Sequence, residues 1–180
     1  MTKEQIDLLT HRFIFEPQKY KWQEPDLIKQ QKDLEFCKKF FNHPHIDIDV
    51  VRLILTNSIN RKNEFELDLV LMLINHFDIS ENFDMILAPL LVQPWHHLHD
   101  RIATILEFDE NEATIEYLFL GSLYRCDNLD YESDYCGFNK KCLYALAKIG
   151  TKRSIDYIKK VSSSNNPIIS NHAKNLLSKL

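Results

Sequence analysis

The sequence predicts an all-α fold, on three observations. Cys142, Ala145, Leu146 and Ile149 recur at the i, i+3, i+4, i+7 spacing that puts four apolar side chains on one helical face. Only three glycines and six prolines occur among 180 residues, too few for the many tight turns of a β-sandwich. The apolar pattern also repeats along the chain. A shift of 31 residues places Cys142, Ala145, Leu146 and Ile149 on Ala173, Leu176, Leu177 and Leu180. A shift of 40 places Ile102, Ile105 and Leu106 on Cys142, Ala145 and Leu146, and Ile115, Tyr117 and Leu118 on Ile155, Tyr157 and Ile158. Asp109, opposite Ile149, breaks the register. Helix pairs at such periods predict an α-solenoid, in which each unit buries its apolar face against its neighbours.

Taken in order, Thr2 and Gln5 form a capping box for a helix to about Leu9. Residues 12–23 are aromatic and irregular, with Phe13, Phe15, Tyr20 and Trp22 expected across the end of the stack. Pro25 starts a helix to about Phe41 with Leu27, Leu34, Cys37, Phe40 and Phe41 inward. Ile46–Val50 alternates like a strand, yet Val50, Val51, Ile54 and Leu55 fit a helix capped by Asp47 or Asp49, and the helix is preferred. Residues 64–77 are apolar almost all round, as a central helix would be. One helix is expected over 80–92 with Pro89 near its end, then a hairpin of 97–108 and 111–123. After the long loop 124–137, Gly150 stops the next helix, Thr151 caps one that buries Ile155, Ile158 and Val161, and Pro167 opens the last.

Ala145-Leu-Ala-Lys-Ile-Gly-Thr151 followed by Ser154-Ile-Asp-Tyr-Ile158 resembles the HEAT-like repeat of the short, phycobilisome-lyase type. Trp95-His-His-Leu-His-Asp-Arg-Ile-Ala103 resembles a stretch of small bacterial HEAT-like proteins. The resemblance is strongest over 141–180, weaker over 95–123 and faint before that. It implies a right-handed stack of HEAT-like helical hairpins in a single domain spanning 1–180, with divergent helices over 1–92 and recognisable repeats over 95–180. Such stacks mostly bind macromolecules, so the resemblance implies a binding role more than a reaction.

At 44% hydrophobic and 27% charged residues, the chain falls in the ordinary globular range. The first residues carry neither a basic nor an apolar leader segment, and the longest apolar run, Met85–Val92, is far short of the roughly 20 residues of a membrane helix. A cytoplasmic protein with no membrane association is expected. Cys37, Cys126, Cys136 and Cys142 show no Cys-x-x-Cys pairing, which predicts reduced thiols, with Cys37 and Cys142 in the core.

Charge is strongly segregated. Residues 140–180 hold nine basic side chains against Asp156, a net +8, and residues 1–139 carry −12 of the whole-chain −4. Between Asp109 and Asp134, eight acids face only Arg125. Complementary fields speed encounter and reject wrong partners, so the acidic loop predicts a basic protein partner. Lys148, Lys152, Arg153, Lys159 and Lys160 would be the nucleic-acid surface, but overall acidity and the lack of a basic stripe interleaved with aromatics argue against it.

The predicted binding surface comprises Trp95, His96, His99, Asp100 and Arg101, together with Asp127, Asp130, Tyr131, Glu132 and Asp134 of the loop. His96, His99 and Asp100 fall at i, i+3, i+4, so one helical face could offer three metal ligands, with Glu132 or Asp134 completing the shell. Such pairs are common, and caps or bonds to the loop are the expected roles; no metal or cofactor is expected. Nor does the sequence show a nucleophile–base set, a glycine-rich phosphate loop or a catalytic carboxylate pair in a recognisable frame. The reading is a non-enzymatic protein-binding module, of the immunity or inhibitor kind, against a basic partner such as a toxin. The rivals are a metal-dependent or nucleic-acid-processing HEAT-like enzyme, and a scaffold with no single site.

Overall fold

The computed structural model describes residues 1–15, 26–124 and 137–180, and all regular structure among them is helical. Two compact units divide the chain, Met1–Asp78 and Ile79–Leu180.

In the first unit, α1 (Lys3–Thr10) starts at the Thr2–Gln5 capping box and runs into a π-turn over His11–Phe15. Helix α2 (Asp26–Phe41) follows, then α3 (Ile48–Asn60), capped by the Asp47 carboxylate, and α4 (Glu64–His76), capped by the Asn63 side chain. The 46–56 stretch is therefore helix from Ile48 onward. Helix α4 packs on α1 and α3, and its Leu67, Leu69, Val70, Leu71, Leu73 and Ile74 are all fully buried. Two expectations fail on α2. Leu27 is 79% exposed and Leu34 38% exposed, because the buried face is the one carrying Phe36, Cys37 and Phe40. Their aromatic contacts explain the rotation: Phe36 stacks on Phe40 and Phe77 and meets the edge of Phe13. Tyr20 and Trp22 lie outside the described residues.

In the second unit the expected straight helix over 80–92 is broken. A 3-10 turn at Ser80–Asn82 precedes a single-turn helix, α5 (Asp84–Leu87), and a second 3-10 turn at Ala88–Val92. Pro89 lacks the N–H that an α-helix needs at that point, and its ring crowds the carbonyl four residues back. Helix α6 (His99–Asp109) leads through a 3-10 turn at Glu112–Thr114 into helix α7 (Ile115–Leu123), and both pack on α8 (Gly137–Ile149); α9 (Lys152–Val161) lies against α7 and α8, and α10 (Pro167–Leu177) lies on both α8 and α9.

The successive pairs α6–α7 and α8–α9 repeat one local design forty residues apart. Glu110 and Gly150 both turn the chain with positive φ, 50° and 64°. Asn111 and Thr151 then cap the following helices, and Thr114 and Ser154 each donate a hydroxyl to the carbonyl of that cap residue. Ile102, Ile105 and Leu106 are buried as are Cys142, Ala145 and Leu146, and Leu118 as is Ile158. The 31-residue shift holds less well, since α10 ends at Leu177 and leaves Leu180 61% exposed.

Candidate functional site

The predicted surface at 95–101 begins one turn before α6. Helix α6 starts at His99, not at 97, and Trp95–Leu98 forms the approach to it. His96 is 1% exposed: its Nδ1 accepts from the Leu98 N–H at 3.1 Å, which leaves Nε2 to donate to the Leu90 carbonyl, also at 3.1 Å. The ring is thus fixed as the neutral Nε2–H tautomer, with both nitrogens engaged by backbone. His99 is equally buried, with Nε2 2.9 Å from the Gln93 carbonyl, and its ring stacks on His96 at 4.5 Å. Together the two imidazoles tie the 88–92 turn and the residues after it to the first turn of α6. Half-buried Trp95 sets its edge against His96 at 4.8 Å.

The i, i+3, i+4 ligand face does not form. His96 lies outside the helix with no lone pair to give, while Asp100 points outward and takes the Lys141 ammonium at 2.6 Å. Arg101, next to it, is half-buried. No group of three or more His, Cys, Asp or Glu able to hold a metal ion occurs among the described residues. Asp127, Asp130, Tyr131, Glu132 and Asp134 lie outside those residues.

The ends of the loop are well defined. Tyr124 stacks on the His99 ring at 5.4 Å, and Phe138 lies against the same ring at 5.4 Å. Buried Asn139 donates both amide hydrogens across the opening, to the Gly121 carbonyl at 2.8 Å and the Tyr124 carbonyl at 2.9 Å. The described residues on either side of 125–136, Tyr124 and Phe138, therefore lie beside His99.

Much of the charge segregation is used inside the unit. Acids of α6 and α7 meet bases of α8 and α9: Asp100 with Lys141, Glu107 with Lys148 at 3.8 Å and Glu116 with Arg153 at 3.0 Å. The segregation thus works partly as a ladder that sets α6 and α7 against α8 and α9. Of the cations on the predicted nucleic-acid surface, Lys148, Arg153 and Lys159 are ion-paired, the last with Asp156, and Lys160 sits 4.6 Å over the Tyr157 ring. Tyr157, stacked on Phe119 at 4.4 Å and lying between Arg153 and Lys159 in the sequence, places one aromatic among these cations.

Two carboxylate clusters escaped the sequence reading. In the first unit, Asp33 Oδ1 accepts from Arg12 at 2.8 Å and lies 2.7 Å from His76 Nε2. Burial alone would raise the Asp33 carboxyl, but the hydrogen bonds from His76 and Arg12 outweigh it and hold the group below its ordinary value. In the second, Asp84 is 3% exposed on α5 and meets Asp109, the residue that broke the repeat register. The polar character of Asp109 was the only available signal; its partner Asp84 lies 25 positions earlier, in a segment that reads as straight helix.

No protein-family model, curated protein or solved structure matches the chain.

Proposed function

We propose that the chain is a non-enzymatic protein-binding module built of HEAT-like helical hairpins stacked as a solenoid, and that it takes a basic protein partner on the acidic interval 125–136 and the adjoining residues 95–101. One observation supports this reading: Tyr124 and Phe138, which flank the interval, both pack on His99, in the first turn of the helix that carries the other half of the proposed surface. The interval itself carries four acids and one base, and half-buried Trp95 sets its ring against His96, which stacks on His99. Rigid scaffolds carrying variable loops are the usual setting for recognition, and aromatic anchors concentrate binding energy. An inhibitor or immunity role against a basic toxin fits this chemistry.

The testing experiment captures partners of the tagged chain from its native lysate at low and high salt, in parallel with the D130K/E132K/D134K variant. The expected result is a basic protein retained in stoichiometric amount, released by salt and absent from the variant. Equal retention by the variant would remove the loop from the interface. Elemental analysis of the purified protein tests the rival enzyme: a stoichiometric metal would overturn the reading.

A further inference from the structure

We infer that Asp84 and Asp109 share one proton and form a pH-sensitive latch at the corner where α5, the end of α6 and the start of α7 meet. Asp84 Oδ2 accepts from the Asn111 amide at 2.9 Å, and Asp109 Oδ1 from the Ser80 hydroxyl at 2.7 Å. The remaining oxygens, Asp84 Oδ1 and Asp109 Oδ2, are buried and have no other hydrogen-bond partner. Two carboxyl groups can hydrogen-bond each other only if one keeps its proton, and two adjacent buried carboxylates resist joint ionisation.

The charged groups nearby reinforce this. Glu81 in the Ser80–Asn82 turn adds its negative field, and Glu110 and Glu112 beside Asp109 and Asn111 are exposed, so every formal charge of these turns is acidic. Burial first, then the bond to Asp109 and the charges of Asp109 and Glu81, push the Asp84 carboxyl up to about 7, against the Asn111 bond, which draws it down. The sign of the linkage follows. The folded protein holds a proton that the unfolded chain releases at ordinary carboxylate pH, so the latch contributes fully below that range. Its contribution falls as pH rises and is spent above about 7.

The test compares unfolding of the full chain with that of D84N and D109N from pH 5 to 8.5. D84N keeps the shape and supplies a permanent donor to Asp109; D109N removes the charge that holds the proton on Asp84. The ratio of folding constants, wild type over D84N, should fall about tenfold per pH unit between about pH 5 and 7 and then level off, the slope expected of one linked proton. The comparison with D109N should show the same decline. His172 on α10, whose imidazole is held low by burial and then by Lys140 and Lys179, adds a slope of opposite sign, but it is common to all three proteins and cancels. A ratio that does not change with pH would overturn the latch. So would calcium or magnesium stabilising the wild type, and not D84N, at pH 8, because a cation would then fill the gap. Should either variant fail to fold, carbon-13 carboxyl shifts of the wild type decide: a midpoint near neutrality supports the latch, and one in the ordinary carboxylate range refutes it.

Discussion

His96 does for the backbone what a cap does for a helix end. Its ring closes two polar backbone groups in a site that water does not reach. His96→Ala should therefore cost about 2–4 kcal/mol in chemical denaturation, from lost packing and two orphaned backbone groups. A cost under about 0.5 kcal/mol, as for surface changes, would contradict the buried role. Gly121 gives a second expectation at this scale. A Cβ there would lie 3.0 Å from Cys142 Sγ and 3.2 Å from Leu91 Cβ, so Gly121→Ala should destabilise by about 1–3 kcal/mol through overpacking of α7 on α8. The sequence displayed the residue types at 96, 99 and 109 clearly enough. It could not display tautomers or partners, which depend on carbonyls and carboxyls brought in from other elements. Cys37 and Cys142 were legible as core because a helical stripe alone buries them.

Helix starts were easier to read than helix ends. Thr2, Asp47 and Thr151 all cap as their side-chain chemistry predicts, whereas left-handed turns fall on Asn42, Lys62, Asp78 and Glu110 as well as Gly150. With so few glycines, four of these five stops carried no signal. This asymmetry yields a paired prediction: Gly150→Ala should cost about 1 kcal/mol, and Glu110→Gly, at the equivalent turn, should gain about 0.5–1 kcal/mol in thermal unfolding. The 80–92 stretch was misread because Pro89 was placed at a helix end when its geometry breaks the helix within. The ion-pair ladder from α6 and α7 to α8 and α9 supplies a further expectation. Lys141→Glu should weaken stability slightly and Asp100→Lys should restore it, with a coupling of about 0.5 kcal/mol that salt reduces, as befits a largely exposed pair.

At the scale of the molecule, each unit has a buried core of its own, from Leu9 to Ile74 in the first and from Phe83 to Leu176 in the second. A fragment spanning 79–180 should accordingly show full helicity and one cooperative thermal transition by circular dichroism; a non-cooperative slope would mean that its core needs residues 1–78. The all-α class and the forty-residue period were legible because both follow from local apolar spacing. The internal use of the charge was not, because a sum over residues does not say which acid meets which base. The Asn139 side chain fastens the two strands of chain entering and leaving the acidic interval, so their separation is fixed whatever lies between them. Lengthening a tethered loop is cheap, about 0.6 kcal/mol per doubling. On the function proposed above, the interval would serve as a cassette: exchanging its twelve residues should redraw specificity while the helices on either side keep their fold.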